Sequence, residues 1–151
     1  MTSAGEDIVA YLANAAIGTL NVSLFLGHRP DLATAITVVE TGGPAPYHDY
    51  GPGEVIDHPT VQILVRNPNY LVGRAKADQI RDALDGIANW PVNGTRYLSI
   101  EAMGDPAYLG KVSTNAGESH EFSLNFATMR ERSAVTVGIC GAYFDLSGWY
   151  E

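Results

Sequence analysis

Residues 59–86 have the sequence PTVQILVRNPNYLVGRAKADQIRDALDG, and this stretch decides the fold. In its first part Val61, Ile63 and Val65 alternate with the residues between them, which places them on one face of an extended chain. β-Branched side chains fit a pleated, half-buried surface well. The pattern therefore predicts a strand that runs up to the Asn-Pro-Asn turn at 67–69.

The second part of the stretch has the period of an amphipathic helix, with Asn69 placed to cap its first turn. The apolar face consists of Ala77, Ile80, Leu84 and Ile87. Two pairs of opposite charges lie four residues apart, Arg74 with Asp78 and Arg81 with Asp85. Each pair stabilises a helix by only about 0.3 kcal/mol. Gly86 suits the left-handed position after a helix, and Pro91 prevents its continuation.

The flanking segments predict the rest of one α+β domain. A first helix is expected from Glu6 to Ile17, ended by Gly18. Further extended segments are predicted at 20–26, 35–40, 97–102 and 121–129. The first two of these are rich in alternating or β-branched residues, and either could pair with the Val61 strand. We expect a mostly antiparallel sheet of four or five strands packed by two helices, with long loops.

Three segments carry unusual loop or tail sequences. Residues 41–53 are rich in proline and glycine, so we predict a contact loop without regular structure. Residues 103–120 predict a projecting hairpin or a flexible arm. Residues 133–151 are too apolar to remain solvated, so they are expected to pack on this core or on a neighbouring subunit. The expected division is a domain at 1–132 and an extension at 133–151.

Composition limits the class of protein. The 151 residues suit one domain, and 17 acidic against 9 basic residues leave a net charge of −8. An acidic surface repels phosphate, so binding of nucleic acid through its backbone is not expected. Cys140 is the single cysteine, and no disulfide can form within the chain. The first residues lack the pattern of an export signal, and no apolar run reaches the roughly eighteen residues of a membrane span, so synthesis in the cytoplasm is expected.

Candidate chemical groups are present but poorly arranged. The histidines, which lie near carboxylates, are His28, His48, His58 and His120. No two of them have the spacing of a zinc motif, which disfavours a metal site. Cys140 lies in the apolar run 137–141, where a thiol is more typical of packing than of nucleophilic catalysis. The glycines at 42, 43, 51 and 53 lack the lysine and the following helix of a phosphate loop. We therefore expect no catalytic residue, cofactor or metal.

Aromatic residues in loops and at the terminus favour a protein interface, because each combines a large apolar surface with a polar tip. Local packing of the loops against the core explains them equally well. The candidate interface residues are Tyr47, Asp49, Tyr50, Asp105, Tyr108, Leu109, Trp149 and Tyr150.

With these segments placed, residues 5–131 resemble the tail terminator and minor capsid protein family of siphoviruses, the bacteriophages with long non-contractile tails. The segments that carry the resemblance are Val38-Val-Glu-Thr-Gly-Gly-Pro44, Pro59 to Leu84, and Tyr97 to Gly110 together with Glu121 to Phe126. Two departures concern the interface. The segment 111–119 lacks the family's Asp-Asn-Gly-Arg type of turn, and the chain continues beyond Arg132, the family's usual end.

The resemblance implies a structural virion protein at the head-proximal end of the tail. Copies would assemble as a ring, most simply a hexamer, that caps the tail tube protein and meets the head connector or head-completion protein. DNA would pass through the lumen without specific binding, and no membrane is involved. Two alternatives stay open: a neck or head-completion protein of the same virion, and a small cytoplasmic enzyme or ligand-binding domain.

Overall fold

The structure, a computed structural model, describes residues 2–48 and 55–132. Its elements in chain order are α1 (Ala4–Asn14), β1 (Leu24–Leu26), β2 (Ala35–Gly42), β3 (Tyr47–His48), β4 (Val55–Asp57), β5 (Thr60–Asn67), α2 (Tyr70–Leu84), β6 (Ile87–Val92), β7 (Thr95–Ala102), β8 (Ala107–Thr114) and β9 (Gly117–Glu131). The predicted α+β class is confirmed, with more strands than expected. The predicted extension at 133–151 lies outside the described residues, so its boundary at Arg132 remains a prediction.

The long strand β9 organises the sheet. On one side it pairs antiparallel with β5, which pairs antiparallel with β2, and the short β1 runs parallel to β2 at the edge. On the other side, β8 pairs with the first half of β9 and β7 with its second half, with β6 outside β7. All pairings except that of β1 with β2 are antiparallel, as predicted.

Both helices contribute to one hydrophobic core with one face of this sheet. The predicted alternation in β5 is confirmed, because Val61, Ile63 and Val65 are buried in that core. Gly73 lets α2 approach β9 closely, since a Cβ at this position would lie 2.9 Å from Cε1 of Phe122. Burying each large apolar side chain stabilises the fold by roughly 1.5–3 kcal/mol.

The ends of the helices follow local chemistry. The predicted cap of α2 is confirmed, because the Asn69 side chain accepts a hydrogen bond from the Val72 amide at 3.1 Å. The prediction that Gly18 ends α1 is wrong. Ala16 takes the left-handed conformation, with φ +60°, and the Ile17 amide donates to the Leu12 carbonyl at 3.0 Å. This closure turns Ile17 into the core, and its burial compensates for the strain at an alanine.

Three other expectations need correction. Only Leu24–Leu26 of the predicted segment 20–26 is a strand, because three amides of residues 22–24 fold back on the Thr19 carbonyl. Arg81 does not pair with Asp85; it bonds Asp105 at 2.6 Å, while Asp85 accepts from the Ala102 amide at 2.8 Å. The strand β6 was not predicted, and its Pro91 is tolerated on an edge strand.

Three polar side chains from distant parts of the chain meet in the interior. One oxygen of the fully buried Asp7 carboxylate accepts hydrogen bonds from the Tyr97 hydroxyl at 2.7 Å and from Arg130 Nη1 at 3.1 Å. Its other oxygen accepts from Asn93 at 3.2 Å and from the Thr2 hydroxyl. Arg130 also donates to the Thr2 carbonyl at 2.9 Å. This Asp7 network ties α1 to β7 and β9.

The Asp7 network makes the free energy of unfolding depend on pH in the alkaline range. Burial raises the pKa of Tyr97 above its ordinary value of 10.0, and the hydrogen bond to Asp7 adds to the effect. Above about pH 10 the unfolded chain loses this proton while the folded chain keeps it, so the free energy of unfolding falls with rising pH. Denaturant unfolding between about pH 8 and pH 11 should show a shallower decline for Tyr97→Phe. Identical declines for both proteins would contradict the assignment.

Candidate assembly interface

The strands β3 and β4 pair antiparallel, and residues 43–48 together with 55–57 are named here the arm. The predicted loop at 41–53 is wrong at residues 41–42, which belong to β2, and at 47–48, where β3 pairs with β4 in the register Tyr47 with Ile56. Residues 49–53 lie outside the described residues. Residues 43–46 interrupt the ladder that β2 forms with β5. Beyond them β3 pairs with β4, because β4 is held against the end of β9, where Ile56 faces Glu131. Arg132 strengthens this attachment of β4 to the sheet through an ion pair with Asp57 at 2.8 Å.

The arm presents one of the predicted interface residues. The Tyr47 side chain is 61% exposed, so it has few contacts within the subunit. Gly43 at the base has φ +121°, and a Cβ there would lie 2.1 Å from the His58 carbonyl oxygen. Asp49 and Tyr50 lie outside the described residues. The arm therefore presents a largely exposed aromatic ring on a closely packed base.

A second surface contains Tyr108, another of the candidate interface residues, which lies on β8. Its ring packs against Tyr70 and Phe122, with centroids 5.1 Å and 5.4 Å away. Its hydroxyl makes a 2.8 Å hydrogen bond with Nδ1 of His120. The three rings, named here the Tyr70–Tyr108 stack, connect the buried Phe122 with two exposed tyrosines. Sequence reasoning missed Tyr70, which lies in the first turn of α2 beside the Asn69 cap.

The hairpin of β8 and β9 confirms one of the two forms predicted for residues 103–120. Leu109 is 52% exposed on β8, and the carboxylate of the nearby Asp105 pairs with Arg81. The arm meets β9 at Glu131, whereas Tyr108 pairs with Phe122, so the two surfaces are separated by about 30 Å along β9. The described candidates thus divide between two surfaces. Trp149 and Tyr150 lie outside the described residues.

Sequence reasoning missed other exposed apolar side chains. Trp90 lies on the edge strand β6 and is 59% exposed, next to Pro91. Tryptophan is enriched where interfaces bind most strongly, so this residue type alone was a usable signal. Leu20 and Val22 are exposed in the turn before β1, where their alternation had indicated a strand.

The described residues show little that resembles a catalytic centre. Within 2–48 and 55–132, no three His, Cys, Asp or Glu side chains are grouped as metal ligands. A cleft of about 220 Å³ lies beside Ile17, Ile36 and Lys76, and its lining contains no carboxylate, histidine or cysteine. His120 bonds Tyr108, and His28 lies 6.3 Å from the Phe25 ring. Neither described helix is long and apolar enough to span a membrane.

Comparisons with known proteins identify a family and a similar fold. Residues 11–132 match a protein family described as bacteriophage tail terminator protein. A chain from a solved structure of the virion of a native gene transfer agent particle has a similar fold, with a TM-score of 0.52 and 13% identity. That match covers 87% of this chain and 100% of the other. No curated protein matches the sequence.

Proposed function

This chain belongs to the bacteriophage tail terminator family, and from that membership we propose that its copies form a ring that caps the tail tube and joins it to the head connector. The family makes it a structural protein of the phage tail and a component of the virion. The likeness to the virion chain at 13% identity concerns the fold. The match over residues 11–132 is the observation that carries the proposal.

The described surface supports an assembly role. The arm carries an exposed aromatic ring, and the Tyr70–Tyr108 stack exposes two more. Aromatic side chains of this kind anchor protein interfaces, because they bury a large area at a low entropic cost. We assign the arm, with Tyr47, Asp49 and Tyr50, to a contact with another virion protein. A closed ring of six copies with a passage for DNA is part of the same proposal, and catalysis is not.

Residues 133–151 are also part of the proposed assembly surface. Their apolar sequence suits burial, so we propose that they pack on the domain of residues 1–132 or on a neighbouring copy. Trp149 and Tyr150 are the aromatic anchors of that contact. A head-completion protein of the same virion is the second candidate function, since it would use the same kinds of surface at a different location.

Location distinguishes the two candidates. Antibody against the purified chain, visualised with gold particles on a lysate of the source phage, is expected to label the head-proximal end of free tails. Label on tailless heads would favour the head-completion protein. Absence of label from every particle would contradict a structural role.

Replacing Tyr47 with serine is expected to impair the joining of heads to tails. Loss of an anchoring ring costs about 2 kcal/mol of binding, a roughly 30-fold change in affinity. Complementation of a phage that lacks the gene, with joined particles counted by electron microscopy, measures the effect. Tyr47→Phe is the matched control, because it keeps the ring and should join normally. Normal joining by Tyr47→Ser would remove the arm from the interface.

A further inference from the structure

Two groups of exposed apolar side chains lie at opposite edges of the sheet. The β1 patch, at one edge, consists of Leu20, Val22 and Leu26, which are 50%, 67% and 37% exposed. The β8 patch, at the other edge, consists of Met103, Tyr108 and Leu109, which are 64%, 44% and 52% exposed. Exposed apolar clusters of this kind mark interaction sites.

The two patches lie at the same height on the sheet. One transverse row of paired residues crosses five strands in the order Leu24, Ile36, Val65, Phe122 and Tyr108. Four strand spacings separate its ends by about 19 Å. The subunit therefore carries an apolar patch at each end of one row, with no offset along the strands.

Charge differs between the two edges. Beside the β8 patch, Asp82, Asp85 and Asp105 lie around Arg81, and Lys111 of β8 pairs with Glu118 at 3.6 Å. Beside the β1 patch lie Lys76, whose ammonium donates to the Ile17 carbonyl at 3.5 Å, and Arg29, which is half-exposed and pairs with Glu121 at 2.6 Å. The Glu40 carboxylate lies near Leu26 and accepts a hydrogen bond from the Gly5 amide at 2.8 Å. Two β8 patches would bring two acidic groups together, whereas a β1 patch facing a β8 patch brings Lys76 towards those acids.

We propose that the β1 patch of one copy binds the β8 patch of the next copy in a head-to-tail contact. The proposal rests on the ring described under Proposed function and names the surfaces that build it. A head-to-tail contact generates a ring if the rotation closes and a helical filament if it does not. Because the two patches share one row, successive copies gain no step along the strands, which is the geometry of a ring whose axis runs parallel to them.

Two charge substitutions test the contact, one in each patch. Val22→Glu and Leu109→Glu each place a carboxylate in an apolar contact, and each is expected to weaken self-association at least about 100-fold. Both side chains are more than half exposed, so melting temperatures should match wild type. Ala75→Glu adds the same charge on the exposed side of α2 and should assemble normally. Analytical ultracentrifugation measures the masses.

Mixing the two variants separates a head-to-tail contact from a symmetric one. Val22→Glu retains an intact β8 patch, and Leu109→Glu retains an intact β1 patch, so an equimolar mixture should form a heterodimer. Its mass is twice the 16.2 kDa of the chain, and no larger species should appear. Two symmetric interfaces would instead let each variant dimerise alone.

Three results would overturn the proposal: dimers of either variant alone, full assembly of either variant, or a wild-type chain that stays monomeric up to about 1 mM. The proposed function fails in a different way. If the variants behave as expected but gold label is absent from tails, the head-to-tail contact stands without the tail role. If label lies on tails while the variants assemble fully, the tail role stands and another surface builds the ring.

Discussion

Replacing Asp7 with alanine is expected to destabilise the domain by about 3–5 kcal/mol. The substitution removes the carboxylate that accepts from both Tyr97 and Arg130, and it leaves a buried guanidinium whose Nε already has no partner. An unpaired buried charge is costly because nothing replaces the water it lost. Urea unfolding monitored by circular dichroism measures the loss.

Two further variants show whether the loss of the Asp7 negative charge causes this destabilisation. Asp7→Asn keeps the size and can still accept a hydrogen bond, so its cost should be smaller than that of alanine. Glu6→Ala removes a neighbouring carboxylate that is exposed and belongs to the capping box with Ser3, and its cost should be much smaller because the Ser3 cap remains. If Asp7→Ala costs no more than Glu6→Ala, the network does not stabilise the fold.

Local chemistry explains which elements could be predicted. The β5 strand and the α2 helix were predicted because alternation, the Asn69 cap and the 3.6-residue period all act within a few residues of sequence. The strands β7 and β9 were predicted for the same reason. The end of α1 was not predicted. The local sequence favours an end at Gly18, but the burial of Ile17 requires the chain to leave the helix earlier, at Ala16. The network around Asp7 joins residues about 90 and 120 positions apart, which no local pattern records.

The interface was predicted only in part, for a related reason. Tyr47, Tyr108 and Leu109 could be proposed from residue type and loop position. Their division between two surfaces, however, follows from the pairing of both hairpins with β9. The β1 patch was hidden, because Leu20 and Val22 alternate as in a buried strand. Long-range pairing in the sheet, which places β1 and β8 on one row, is what turns these side chains into opposite edges.

The base of the arm shows how backbone geometry supports the proposed function. The chain passes from β2 to β3 through Gly43, where it approaches the segment between β4 and β5 very closely. The φ of +121° at Gly43 is a conformation that side chains disfavour, and the 2.1 Å approach of a Cβ to the His58 carbonyl leaves no room for one. The position of the Tyr47 ring therefore depends on a residue without a side chain.

Gly43→Ala is accordingly expected to cost about 3 kcal/mol, from backbone strain and steric overlap together, and to displace the arm. Hydrogen exchange should rise at the amides of β3 and β4 while β5 and β9 stay protected. Heads and tails should fail to join. Gly42→Ala is the matched control, because Gly42 also has a positive φ, +91°, but a Cβ there meets no atom within 4 Å. Its cost should be the strain alone, about 1–2 kcal/mol. Equal effects of the two substitutions would show that the close approach at His58 does not hold the arm in place.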